Sequence, residues 1–258
     1  MHTNPPLEWI ADDEFVIDGV AFRCFGLMER GVKSEPDRFC IIKPRWQIER
    51  YEELIRRDTP KNIFELGIWA GGSTAFLAQL ARPRKLVAVE LASNPCTPLE
   101  TFIDAGGLRT SIATYYGVDQ ADSSRLRSIL DREYPGEPLD LVVDDASHQV
   151  AQTRASFNAL FPRLAPGGTY LIEDWSWAHT GGAALPEVWS KRTPLSVFIF
   201  ELMLVCAHHP EMIDGIVVKK GSAFVRRGPA TIEAASFDVA ANYGPIGRDL
   251  MTRLTGGE

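Results

Sequence analysis

From residue 62 onward the chain alternates short apolar runs with stretches of helical spacing, and this alternation sets its expected architecture. Residues 63–66, 86–91, 111–115, 139–145 and 168–174 read as buried strands, bounded by turn residues and rich in Ile, Leu, Val and Tyr. Between them, residues 73–80, 98–105, 123–132 and 149–164 carry apolar side chains at helical spacing. Strands joined through helices run parallel, because the crossover returns the chain to the same edge of the sheet. A more apolar helix is expected over 194–208, then two strands, 215–219 and 223–227, around a turn at Lys220-Gly221-Ser222. The fold class is therefore α/β, a Rossmann-like sheet of seven strands with helices on both faces and a C-terminal antiparallel hairpin. A terminal helix is expected near 246–254.

Upstream, residues 14–25 alternate around Asp18-Gly19, a pair suited to a two-residue hairpin turn. Residues 26–45, with Gly31, Pro36 and Pro44, read as irregular, so 1–45 form a small N-terminal extension and 46–258 the main domain. A helix over 46–57 puts Ile48, Tyr51, Leu54 and Ile55 on one face, and Thr59-Pro60 stops it. With 45% hydrophobic and 24% charged residues the chain has the composition of a folded protein. A net charge of −7 argues against gripping nucleic-acid phosphates. Cys24, Cys40, Cys96 and Cys206 lack metal or CxxC spacing and read as reduced thiols. No signal-peptide pattern opens the chain, and the apolar run 195–207 contains Glu201 and is too short for a bilayer. The expectation is a cytoplasmic protein with neither a membrane nor a nucleic-acid partner.

Two of the strands end in acid, Leu139-Asp140-Leu141-Val142-Val143-Asp144-Asp145 and Gly168-Thr169-Tyr170-Leu171-Ile172-Glu173-Asp174. As parallel neighbours they place Asp145, Glu173 and Asp174 on one edge, where open α/β sheets bind ligands. Three carboxylates so close do not all stay ionised without a cation, and an all-oxygen set suits Mg²⁺. Taken singly, each acid would equally cap a helix or face solvent. His148, three residues past Asp145, can face the same cavity, with an ordinary pKa of about 6.5 that suits proton removal. The turn after the first parallel strand reads Gly67-x-x-x-Gly71-Gly72-Ser73, which departs from the dinucleotide fingerprint and lacks a phosphate-binding lysine. Ser73 is a plausible helix cap, Glu65 can accept from a cationic amine, and Glu90 from ribose hydroxyls. Asp119 or Gln120 would read an adenine edge, unless the segment only caps the next helix through Asp122 or Ser123. Trp175, Trp177 and His179 form either an aromatic wall for a ring-shaped acceptor or packing beneath a lid hinged at Gly181-Gly182. His208-His209 read as structural.

Four segments, 65–73, 119–122, 144–148 and 166–174, together resemble the class I S-adenosylmethionine-dependent methyltransferases. More narrowly they resemble the macrocin- and mycinamicin-type sugar O-methyltransferases and the related cephalosporin-pathway enzymes. The resemblance covers roughly residues 46–227 and implies S-adenosylmethionine and Mg²⁺ as cofactors. It implies methylation of a hydroxyl on a small natural-product acceptor, a deoxysugar or another molecule with adjacent hydroxyls. On the matching positions, Asp145, Glu173 and Asp174 are the metal ligands and His148 the general base. Glu65, Gly67, Gly71, Ser73, Glu90, Asp119, Gln120 and Asp144 are the cofactor contacts. Ala146 departs from a position where relatives often carry glycine. By the same analogy the protein is a homo-oligomer. The competing readings are a metal-independent O- or N-methyltransferase, or a non-catalytic protein that binds S-adenosylmethionine.

Overall fold

A computed structural model describes residues 5–26, 33–180 and 192–255. The chain divides into two compact units, residues 1–118 and 119–258. The large sheet has seven strands.

The first unit opens with a four-stranded sheet of β1 (Glu8–Trp9), β2 (Glu14–Ile17), β3 (Val20–Cys24) and β4 (Arg38–Ile41), in that order. Asp18 and Gly19 turn the β2–β3 hairpin at φ of 52° and 82°, the positive pair that a tight two-residue turn needs. β4 corrects the irregular reading of residues 26–45: it pairs parallel with β3 and buries Phe39, Cys40 and Ile41. A four-residue run with no polar alternation, lying between Pro36 and Pro44, carries little strand signal of its own. Phe15 stacks on Phe22 at 5.1 Å, and both meet the edge of Phe76 at 5.8 and 6.1 Å.

Phe76 belongs to α2 (Gly72–Ala81), which follows α1 (Arg45–Asp58) and β5 (Asn62–Leu66). Ile48, Tyr51, Leu54 and Ile55 line the buried face of α1, as their spacing predicts. All five residues of β5 are buried, Asn62 and Glu65 among them. β6 (Lys85–Glu90), α3 (Thr97–Ala105) and β7 (Ile112–Tyr116) complete the unit, with β5, β6 and β7 parallel and adjacent in that order.

The second unit runs α4 (Ser123–Glu133), β8 (Leu139–Asp144), α5 (Val150–Leu160), β9 (Leu164–Glu173), α6 (Leu195–His208), β10 (Ile213–Lys219), β11 (Ser222–Arg227) and α7 (Gly244–Thr255). β8 and β9 are parallel, β11 lies antiparallel to β9, and β10 is outermost, so the expected C-terminal hairpin is present. The helix expected to reach residue 164 stops at Leu160, and a 3-10 turn over Phe161–Arg163 leads straight into β9. Ala165-Pro166-Gly167, between the expected helix and the strand expected from Gly168, instead lies inside β9 as an irregularity. The register passes from Leu139 opposite Leu164 to Leu141 opposite Thr169, with Gly167 at φ 81°. No helix among the described residues is long and apolar enough to cross a membrane.

Candidate active site

In the second unit β8 and β9 deliver their acids at their carboxyl ends. Asp145 is the first residue past β8, and Asp174 the first past β9, where its N–H donates to Gly221 O at 2.7 Å. His148 and Asp174 both sit at φ 54°, in the left-handed region that His and Asp tolerate better than most residues. Such backbone costs of the order of 1–3 kcal/mol per residue and persists only where its surroundings enforce it. His148 Nε2 lies 3.8 Å from Asp145 Oδ1 and 3.9 Å from Asp174 Oδ2. One ligand atom from each of the three residues falls within 4.8 Å of the others. A hard cation about 2–2.5 Å from each oxygen separates its ligand atoms by about 3–5 Å, so Asp145 and Asp174 fit a dication with His148 beside it. Glu173, the last residue of β9, is 1% exposed and is not among the three groups that converge.

Beneath the cluster lies a buried polar network. Asp144, ending β8, accepts from Gln120 Nε2 at 2.7 Å, Tyr170 Oη at 2.9 Å and Ser156 Oγ at 3.0 Å. Burial nevertheless pushes its carboxyl up to about 6, against the pull of the three donors. Gln120 Nε2 also lies 3.1 Å from Ser156 Oγ, and Gln120 Oε1 accepts from Ser147 N at 3.1 Å. Asp119 is exposed and accepts from Ala121 N at 2.8 Å. Ser156 and Tyr170 carry no functional signal in the sequence beyond being polar residues at core-facing positions.

Of the three residues expected to contact the acceptor, Trp177 touches the cluster: its ring centroid is 4.4 Å from that of His148. Trp175 turns toward the C-terminal hairpin, donating from Nε1 to Lys219 O at 2.9 Å, and His179 Nε2 pairs with Ser196 Oγ at 2.8 Å. The hinge expected at Gly181-Gly182 lies outside the described residues.

In the first unit the glycine turn passes repeatedly through positive φ. Gly67, Trp69 and Gly71 have φ of 98°, 46° and 82°. α2 begins at Gly72, so its N-cap is Gly71 and Ser73 stands inside the first turn. Glu90 Oε2 accepts from the N–H groups of Ile68 and Trp69, both at 2.9 Å, and Oε1 accepts from Ala92 N at 3.0 Å. These bonds hold the turn in place, and a carboxylate has about four acceptor positions, so capacity for a ligand hydroxyl remains. Glu65 is fully buried and accepts from Thr74 Oγ1 at 2.6 Å.

Residues 64–175 match a family model described as a methyltransferase domain. Over these residues the chain is similar to a methyltransferase domain. The four segments that carried the resemblance, 65–73, 119–122, 144–148 and 166–174, all lie inside the matched region. Mycinamicin VI 2''-O-methyltransferase of Micromonospora griseorubida is 28% identical over 241 residues, 83% of this chain and 56% of that protein. Demethylmacrocin O-methyltransferase of Streptomyces fradiae is 39% identical over 89 residues, 28% of this chain and 22% of that protein. Among solved structures, the MycE methyltransferase from the mycinamycin pathway, in complex with Mg, SAH and mycinamycin VI, shares 27% identity. It superposes with a TM-score of 0.52 over 71% of this chain and 50% of that one. The chain thus spans about half, or less, of the length of these curated relatives.

Proposed function

We propose that the methyltransferase domain transfers a methyl group from S-adenosylmethionine to a hydroxyl of a small acceptor, with Mg²⁺ held at the strand tips. The acceptor class we propose is the sugar of a natural product, or another molecule with adjacent hydroxyls. The convergence of Asp145, His148 and Asp174 carries this reading. It is supported by the 2''-O-methyltransferase relative and by the similar structure that holds Mg, SAH and mycinamycin VI.

Asp145 and Asp174 would hold the metal, and Glu65, Gly67, Gly71, Ser73, Glu90 and Asp119 would contact the cofactor. When bound, these two groups supply a Lewis acid that makes a hydroxyl more acidic and an electrophilic methyl to receive it. His148 takes the hydroxyl proton at Nε2, and the flanking Asp145 and Asp174 carboxylates stabilise the imidazolium that results. Trp177, packed against the imidazole, limits its rotation and keeps water from one side. Orientation of the attacking oxygen contributes most when donor and acceptor are held in line.

Calorimetric titration with S-adenosylmethionine and with Mg²⁺, on wild type and on Asp145→Ala, tests the proposal. Cofactor binding to both proteins, with Mg²⁺ binding lost only in the variant, is the expected outcome. A wild type that binds cofactor and no metal would remove the metal from the mechanism.

A further inference from the structure

Gln120 stands in the 119–122 segment that reads as a cofactor-edge contact, yet the structure spends its amide elsewhere. Its Nε2 donates to Asp144 Oδ1 at 2.7 Å and lies 3.1 Å from Ser156 Oγ. Its Oε1 accepts the Ser147 N–H at 3.1 Å. The side chain is 5% exposed, so these bonds form in a low-dielectric interior where an amide left unmatched is costly.

The Ser147 tie falls immediately before His148, whose φ of 54° requires enforcement from outside. On the other side, Ser147 Oγ accepts from Gln149 N at 3.3 Å. The strained histidine is therefore bracketed by one bond at the residue before it and one at the residue after it. Gln120 is the link that joins this loop to the carboxylate ending β8, and through Ser156 to α5.

We infer that Gln120 is a positioning residue for the loop that carries Asp145 and His148, and not a reader of the cofactor. The inference rests on the proposed function for what the loop does. Its connection to Gln120 stands on the hydrogen bonds alone. Residues that orient metal ligands from behind typically change metal affinity by 10–100-fold when removed.

The test is Gln120→Met, close in volume but without the amide, with the fold checked by circular dichroism. Mg²⁺ affinity should fall at least tenfold, affinity for S-adenosylhomocysteine should stay within about twofold, and exchange of the Ser147 amide proton should accelerate. A large fall in S-adenosylhomocysteine affinity with Mg²⁺ binding unchanged would make Gln120 a cofactor reader and overturn the inference. Should Gln120→Met not fold, wild type decides: a Ser147 amide exchanging at the unprotected rate refutes the tie, and a protected one supports it. Should wild type bind S-adenosylhomocysteine and no divalent ion, the metal reading fails by itself. The inference is then decided by the Ser147 exchange rate and the His148 imidazole proton resonance in Gln120→Met, which must both shift.

Discussion

Tyr170→Phe removes one hydroxyl from a fully buried network and changes no shape, so its cost follows from the hydrogen bonds lost. Tyr170 Oη donates to Asp144 Oδ2 at 2.9 Å and lies 3.2 Å from Ser156 Oγ. A hydrogen bond to a charged partner contributes about 1.5–3 kcal/mol, and one to a neutral partner about 0.5–1.5 kcal/mol. Which figure applies depends on pH, because the Asp144 carboxyl titrates at about 6 in the folded chain and near ~3.9 in an unfolded one. The folded value is the higher, so the folded state holds the proton more tightly between those two pH values. Stability from this group is fully present below about pH 4 and is lost as pH rises through about 6, by roughly 3 kcal/mol in all. The tyrosine hydroxyl favours the charged form, so its removal raises the Asp144 value further and deepens the loss on the alkaline side. Urea unfolding should therefore show a destabilisation of about 2–3 kcal/mol at pH 7.5 and about 1 kcal/mol at pH 5, with the slope m unchanged. Equal destabilisation at the two pH values, or less than about 0.5 kcal/mol at pH 7.5, would refute the reasoning.

His148→Ala should lower turnover of a hydroxylated glycoside by ~10²–10⁴-fold while leaving S-adenosylhomocysteine affinity in place, and unchanged turnover would remove His148 from the mechanism. A Cβ added at Gly72 would lie 2.1 Å from Cys40 O in β4. Gly72→Ala therefore has to displace backbone and should cost about 3 kcal/mol in a thermal melt, with an unshifted melt as the contrary result. Glu201, 1% exposed on α6, pairs with both Nε and Nη2 of Arg154 on α5. Glu201→Ala strands the guanidinium and should cost about 3 kcal/mol, whereas Arg154→Met with Glu201→Leu should recover much of it. A double variant as unstable as the single one would show that the ion pair itself is stabilising.

The elements that could be read from the chain are those whose cause is local. β5 is legible because all five of its residues are buried, and α1 because its buried residues recur at helical spacing. The β2–β3 turn is legible because Asp18-Gly19 admits two successive positive φ angles. The two acid-tipped strands could be recognised for the same reason, and so could the edge of the sheet on which their acids lie. What the sequence left open depends on partners distant along the chain. β4 exists because β3 offers it a parallel edge, and Ala165–Gly167 enters β9 as an irregularity because the pairing with β8 resumes beyond it. Asp174 follows Glu173 at one strand tip, and it was folding that brought Asp174 within reach of Asp145 and His148. The amide of Gln120 looked available to a ligand until folding brought Asp144, 24 residues away, and Ser156, 36 residues away, into its reach. Short-range pattern determines backbone conformation and burial, because both depend on near neighbours. The direction of a polar side chain is decided by tertiary structure, because a buried donor or acceptor must bond whatever group the fold places beside it.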